Sequence, residues 1–213
     1  MSEPAVTDER KGQPAPEWLD LPEELSDKDI VYCVKAAENL RYNTYLIEKV
    51  CAWKNIRRKT VYNLVAEPSI GWLNGQLCFI YETGLKTRKG LGVPKNEREI
   101  RWGWGLPCLW RSFPLMDSAL RGLVREVHIT EGESDCMCLL DSGVETDDLS
   151  VICVSLPSAS GIPHNLAQLC AGKEVVFYPD NDAAGEQARD KLRSILKPAV
   201  KSFSYLSWEP QAA

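Results

Sequence analysis

Several common sequence signals are missing from this chain of 213 residues. No apolar run approaches the roughly 20 residues that are needed to cross a bilayer, and no basic and apolar leader opens the chain. There is no CxxC pair of the kind that builds zinc modules, and no GxxxxGK[ST] motif of the kind that binds nucleotides in motor domains. These absences predict a cytoplasmic protein without a membrane partner, a zinc module or an attached motor.

The eight cysteines favour neither disulfides nor a metal site. Six of them occur singly, several inside apolar runs, and only Cys136 and Cys138 are close in sequence. Residues two apart on a helix do not share a face, so this pair is a poor chelate. We therefore expect reduced cysteines that act as small buried apolar side chains.

The charge is unevenly distributed along the chain. The net charge is −5, but residues 54–125 carry +8 and residues 126–213 carry −8. A basic segment beside an acidic one suits a protein that holds a polyanion in one part and a cation in the other. Solvated surfaces of mixed charge would give the same distribution.

Composition and periodicity divide the chain into three parts. Residues 1–27 are rich in proline and acids, which is typical of a flexible tail. Residues 28–124 predict a small basic α+β unit, with helices up to about residue 65 and a β-hairpin from residue 76. Residues 125–213 predict an α/β unit with a parallel sheet and right-handed crossovers. The strands expected in these two units are 76–81, 100–104, 108–110, 126–130, 149–156, 174–178 and 200–206, and the helices of the second unit are 134–142, 164–170 and 183–196.

Two carboxylate clusters follow strands of the predicted parallel sheet. Glu131-Gly132-Glu133-Ser134-Asp135 follows the run Val127-His128-Ile129-Thr130, and Asp180-Asn181-Asp182-Ala183-Ala184-Gly185 follows Val175-Val176-Phe177-Tyr178. If the two strands are parallel neighbours, both clusters lie at one edge of the sheet, where such folds bind ligands. Converging carboxylates repel each other unless a cation lies between them, and oxygen ligands suit Mg²⁺ or Mn²⁺.

The second cluster fits two familiar acidic motifs less well. A calcium loop of the EF-hand kind would need an oxygen ligand at Ala184 and a glutamate at Lys191. A phosphatase of the haloacid-dehalogenase kind needs its first aspartate early, with further catalytic residues after it. Each acid taken alone is more often a helix cap than a metal ligand.

The order of strands, helices and both motifs resembles the Toprim domain of bacterial-type primases, topoisomerases and some nucleases. The stretch from Tyr45 to Tyr81, the hairpin and Cys108-Leu109-Trp110-Arg111 are similar to the subdomain that precedes Toprim in the primase core. The loop Val154 to Gly161 is similar to one in phage primase-helicases. The resemblance implies that Glu131, Asp180 and Asp182 are catalytic and, with Asp135 either joining them or capping its helix, hold Mg²⁺ or Mn²⁺.

The same resemblance implies that basic side chains bind template and nucleotide phosphates. The candidates are Lys86, Arg88, Lys89, Arg98, Arg101 and Arg111, with a solvated basic surface as the alternative for each. Trp102, Trp104 and Trp110 could stack on bases, although packing in the core or hairpin is the more common role. His128 and His164 are expected to pack or cap rather than to catalyse.

These features together predict a primase-like nucleotidyltransferase core that makes short RNA primers on a DNA template. The expected partners are template DNA, nucleoside triphosphates and a helicase or another replication protein. The zinc module of many primases and their further downstream acidic motif are not seen. A metal-dependent Toprim nuclease and a non-catalytic module that binds DNA or a replication protein therefore stay open as alternatives.

Overall fold

The computed structural model describes residues 25–93, 97, 99–105, 108–158 and 160–206, and for residues 102–105 it describes the backbone alone. Most of the predicted tail lies outside these ranges. Within the described part of the chain, no helix is long and apolar enough to cross a membrane.

Three helices open the described chain: α1 (Asp27–Arg41), α2 (Thr44–Lys54) and α3 (Arg58–Ala66). Ser26 caps α1, because its side chain accepts a hydrogen bond from the backbone of Asp29, and Asn43 caps α2 in the same way. Asn55 ends α2 in the left-handed conformation, with φ of 53°. The helical region that the sequence predicted is therefore three short helices in succession.

An antiparallel sheet follows these helices. Its strands are β1 (Ile70–Leu73), β2 (Gln76–Tyr81), β3 (Gly84–Lys89) and β4 (Glu99–Gly105), in that spatial order. Helix α1 crosses β1 so closely that a Cβ on Gly71 would lie 2.7 Å from the Cβ of Ala36. The predicted hairpin is confirmed, since β2 and β3 pair from Tyr81 opposite Gly84 to Leu77 opposite Arg88.

The C-terminal half alternates strands and helices around a parallel sheet. The strands are β5 (Glu126–Thr130), β6 (Val151–Ser155), β7 (Glu174–Tyr178) and β8 (Ser202–Tyr205), and their spatial order is β6-β5-β7-β8. The helices are α4 (Phe113–Met116), α5 (Glu133–Ser142), α6 (Leu166–Leu169) and α7 (Ala183–Leu196). All three strand pairs are parallel, as the alternation predicted.

Helix α5 lies where the two halves meet. Alternate residues of the parallel strands, such as Val127 and Phe177, pack with α6 and α7 in one apolar core. Cys136 and Met137 of α5, with Cys153 on the opposite side of the sheet, belong instead to the core of the antiparallel unit. The parallel sheet is therefore covered on one side by its own helices and on the other by α5 and the N-terminal unit.

Two sequence predictions change in detail. Cys108 to Trp110 is not a strand, because Trp110 makes a single antiparallel bridge with Ser155 within an irregular connection. The helix predicted at 164–170 is reduced to one turn, α6. All eight cysteines are free, and seven of them are buried, with Cys138 partly exposed.

Candidate metal centre

Both acidic clusters lie at the same edge of the parallel sheet. Strands β5 and β7 are neighbours, with Thr130 opposite Tyr178 at their carboxyl ends. The chain then turns through Glu131 on one strand and Asp180 on the other, and the backbone N–H of Asp180 donates to Oε2 of Glu131 over 2.6 Å. The convergence that the sequence predicted is thus present as a direct hydrogen bond between the two turns.

The turn from β7 into α7 depends on Asp182 and Gly185. Asp182 caps α7, since its Oδ1 accepts a hydrogen bond of 2.9 Å from the backbone N–H of Gly185. Gly185 is buried, and a Cβ there would collide with the backbone of Asp180. The glycine is therefore required by the close approach of the helix to the acidic turn, while Asp182 presents one carboxylate oxygen that is not used in the cap.

Glu131 is the most constrained acid of the site. The residue is only 6% exposed, and its Oε1 is buried without a hydrogen-bond partner among the described residues. Burial raises the pKa of the Glu131 carboxyl, and the charges of Asp180, Asp182 and Asp135 raise it further. The hydrogen bond from the backbone of Asp180 acts in the opposite direction and lowers this pKa. A buried and unpaired carboxylate oxygen surrounded by acids is the environment that a divalent cation would stabilise.

The acids do not form a complete cation cage in this arrangement. Among the described residues, no three His, Cys, Asp or Glu side chains are grouped closely enough to hold a metal ion. Asp180 and Asp182 are exposed. Asp135 is held by Lys54 of α2, whose Nζ lies 3.0 Å from its Oδ1. The metal-binding role of these four acids stays a prediction. Of the four, the fold brings Glu131 and Asp180 into direct contact.

A buried ion pair lies at the first turn of α5, beside Glu131. The carboxylate of Glu133 accepts hydrogen bonds from Tyr81 of β2 and from Lys86 of β3, the latter at 2.6 Å. Lys86 also donates to the carbonyl oxygen of Pro157, in the loop after β6. The Lys86 and Glu133 side chains are 12% and 7% exposed. Lys86, predicted to bind phosphates, therefore reaches the site but is held there by protein groups.

Further basic residues of the N-terminal half pair with acids along α5 and just after it. Arg57 and Thr60 bind Asp141, the last acid of the helix. Arg111 forms a two-pronged pair with Glu145, both contacts being 2.8 Å, and also contacts Glu67. We call the acids on this seam the acidic row; its members are Glu133, Asp135, Asp141 and Glu145. Part of the basic charge of the middle segment is thus used to hold the acidic segment.

The predicted phosphate-binding residues consequently have different surroundings. The Arg111 side chain is 11% exposed and engaged by two carboxylates. Arg88 stacks on the ring of Trp53, with 4.4 Å between its guanidinium carbon and the ring centroid. Lys89 is exposed, Arg101 is exposed and paired with Glu99, and Arg98 lies outside the described residues. Their role in phosphate binding stays a prediction.

Packing and hydrogen bonding account for Trp110 and His128, but not for His164. Trp110 is fully buried and donates from its indole nitrogen to the carbonyl oxygen of Ser69. His128 is hydrogen-bonded to Tyr178 and to Glu126, each over 2.8 Å. His164 is exposed in the turn before α6, and the side chains of Trp102 and Trp104 lie outside the described part.

Sequence reasoning missed Lys54 and Tyr81. Lys54 is the last residue of α2 and lies 81 positions before its partner Asp135, and Tyr81 lies 52 positions before Glu133. Contacts at such separations leave no local pattern. A basic residue at a helix C-terminus is explained locally by the helix dipole, so the sequence did not mark Lys54 as part of a site.

Comparison with known proteins agrees with this architecture in the C-terminal half. Residues 128–212 match the sequence model of the Toprim-like family, a range that contains both acidic turns. Neither the search of curated proteins nor the search of solved structures gave a match. The chain therefore carries, over residues 128–212, a Toprim-like domain, which is a metal-binding fold found in primases, nucleases and topoisomerases.

Proposed function

We propose that this protein is a primase-like nucleotidyltransferase core that makes short RNA primers on a DNA template. One observation carries the proposal: the edge where Asp180 hydrogen-bonds to Glu131 lies directly beside a basic α+β unit, whose Lys54 and Lys86 contact the first turn of α5. Polymer synthesis needs a cation site next to a surface that holds an anionic strand, and the contact between the acidic edge and the basic unit supports this assignment.

Glu131, Asp180 and Asp182 are the proposed ligands of Mg²⁺ or Mn²⁺. The unpartnered Oε1 of Glu131 and the exposed carboxylates of the two aspartates have the oxygen chemistry that these ions prefer. When bound, the cation supplies charge neutralisation for the triphosphate and orients the attacking hydroxyl. Asp182 would bind the cation through one carboxylate oxygen while the other caps α7. Asp135 is proposed to bind Lys54 and not the metal.

Cation binding gives a first test that does not depend on activity. A cation at one hundred times its dissociation constant stabilises the folded state by about 2.7 kcal/mol. For a chain of this length, the melting temperature should rise by roughly 5–10 °C. We expect this rise with Mn²⁺ or Mg²⁺ in the wild type and its loss in Glu131→Gln and Asp180→Asn.

Glu126→Gln is the matched control for this experiment, because Glu126 lies at the opposite end of β5 from the acidic turn. It should keep the metal-induced rise. An equal rise in Glu131→Gln and in the wild type would contradict the assigned site, since the cation would then bind elsewhere.

Activity is tested with single-stranded DNA, Mn²⁺ and labelled ribonucleotides. Lengthened, labelled products that disappear in Glu131→Gln and Asp180→Asn are the expected result. Full synthesis by either variant would overturn the proposal.

A metal-dependent nuclease is the second candidate, because the same carboxylates can serve an attacking water and because the Toprim fold also occurs in nucleases. Shortened DNA in the same reaction would identify it. Salt-sensitive DNA binding with neither product would identify the non-catalytic module.

A further inference from the structure

Helix α2 carries a row of aromatic and basic side chains along one face. Tyr45, Lys49 and Trp53 are spaced four residues apart, so they lie one above another on the helix surface. We call this row the α2 stripe. The buried residues of α2, which are Ile47, Val50 and Cys51, occupy other positions of the helix. Tyr45 and Lys49 therefore lie off the packing face of the helix, whereas Trp53 is partly buried and packs against the core.

The members of the stripe differ in how much of them is covered. Tyr45 is 73% exposed, Lys49 is exposed, and Trp53 is partly exposed. One exposed tyrosine is ordinary on a protein surface. An exposed tyrosine, a lysine and a partly exposed tryptophan in one row combine flat apolar rings with positive charge, which is the composition of surfaces that bind single-stranded nucleic acid.

Neighbouring residues continue the alternation of rings and cations. Lys49 lies over the ring of Trp72 in β1, with 5.6 Å from its Nζ to the ring centroid. The guanidinium of Arg88 lies over the ring of Trp53. The nearby acid on the same helix, Glu48, is paired with Arg58 of α3, so its charge is compensated. An anionic strand would therefore meet a surface of positive charge along this face.

The stripe leads toward the candidate metal centre through Lys54. Lys54 follows Trp53 directly and binds Asp135, four residues after Glu131. Arg88 belongs to the same strand as Lys86, which binds Glu133. From Tyr45 to Trp53 the helix rises about 12 Å at 1.5 Å per residue. At about 3.4 Å for each stacked nucleotide, that length accommodates roughly three nucleotides.

We propose that the α2 stripe is the track that leads a single-stranded nucleic acid to the acidic edge of the parallel sheet. A base stacks on Tyr45, and Lys49, one turn further along the helix, contacts the adjacent phosphate. Because template binding is part of the primase-like activity, this inference rests on the proposed function. It adds residues that neither the two acidic motifs nor the basic hairpin includes.

The test measures binding of fluorescently labelled oligo(dT) and oligo(U) to the full chain in EDTA without nucleotides, so that catalysis plays no part. Tyr45→Ala should weaken binding by about tenfold, the loss expected for one stacked base. Lys49→Ala should reduce the slope of log affinity against log salt concentration by about 0.7, the value for one phosphate contact on a single strand. A stronger effect with one oligonucleotide distinguishes a DNA track from an RNA track.

Helix α3 supplies matched controls, since Tyr62 and Lys59 are exposed there on a different helix. Tyr62→Ala and Lys59→Ala should leave affinity and salt slope at the wild-type values. All four side chains are exposed, so circular dichroism and melting temperature should not change. As a second measurement, oligonucleotides that contain 5-iodouracil should cross-link to the peptide that contains residues 44–54.

The result that would overturn the track is equal affinity in the α2 and α3 variants, or cross-links confined to other peptides. Absence of oligonucleotide binding by the wild type would overturn it as well. Failure of the proposed function would give a different result. The chain would then bind oligonucleotides through α2, but it would neither synthesise primers nor gain stability with Mn²⁺. That result would support the track and contradict the primase-like activity.

Discussion

Replacing Lys86 by methionine separates two roles that its position allows, holding α5 and binding nucleic acid. Methionine has a similar length and no charge, so the change leaves the Glu133 carboxylate buried beside the neutral hydroxyl of Tyr81. Both side chains of the Lys86–Glu133 pair are nearly covered, at 12% and 7% exposed. Removing one partner of a buried ion pair costs about 3–5 kcal/mol.

The assay is reversible unfolding, followed by circular dichroism with heat or urea. For a chain of this length, a loss of about 3–5 kcal/mol corresponds to a fall in melting temperature of roughly 6–20 °C. Glu133→Gln combined with Lys86→Met should recover most of this loss, because the neutral amide can still accept the hydrogen bond from Tyr81.

Arg101→Met is the matched control in the same sheet. Its partner is Glu99, and the two side chains are 74% and 38% exposed, so the free energy of unfolding should fall by about 0–1 kcal/mol. Equal destabilisation by Lys86→Met and Arg101→Met, or no recovery in the double variant, would refute the buried-pair reasoning. Lys86 would then be free to act mainly on nucleic acid.

Two further substitutions or modifications test the site and the core. Asp182→Asn should keep the cap on α7 and the wild-type stability, whereas Asp182→Ala should lose about 1 kcal/mol, because only the alanine removes the hydrogen bond to Gly185; equal urea midpoints for the two variants would contradict the cap. Brief alkylation of the native protein with iodoacetamide should modify Cys138 first, since it is the one cysteine that is not buried, and burial raises the pKa of Cys78 and Cys153 to about 12. Peptide mass spectrometry reads the order of modification, and earlier labelling of either buried thiol would be inconsistent with the core.

Local pattern was enough to predict the elements that build the site. Branched and aromatic runs marked β5 and β7, and the alternation of strands with helices required them to be parallel. Parallel strands present their carboxyl ends at one edge, so Glu131 meets Asp180 if β5 and β7 are neighbours, a condition that the pattern left open and that the structure fulfils. One predicted strand, at Cys108 to Trp110, was wrong. These three apolar residues are buried within an irregular connection, and only Trp110 forms a β-bridge, with Ser155.

The surroundings of the site could not be predicted in the same way. The pairs Lys54 with Asp135 and Arg57 with Asp141 join residues 81 and 84 positions apart, and neither leaves a periodic signal. The excess of basic residues in the middle segment predicted a polyanion partner. The fold shows that acids of the same chain already engage several of these bases, Lys86 and Arg111 among them.

The acidic row also imposes an order on how the chain can be made. During synthesis the bases that bind the row, from Lys54 to Arg111, leave the ribosome before the first acid of the row, Glu133. The N-terminal unit therefore emerges before Lys54, Arg57 and Lys86 can meet the acids of the row, and with the apolar surface that Cys136 and Met137 later cover. A fragment that begins at residue 125 would carry the complete acidic edge but would lack Lys54, Arg57 and Lys86, which hold α5 in position. Metal binding by such a fragment would therefore be measured on a helix that has lost these contacts.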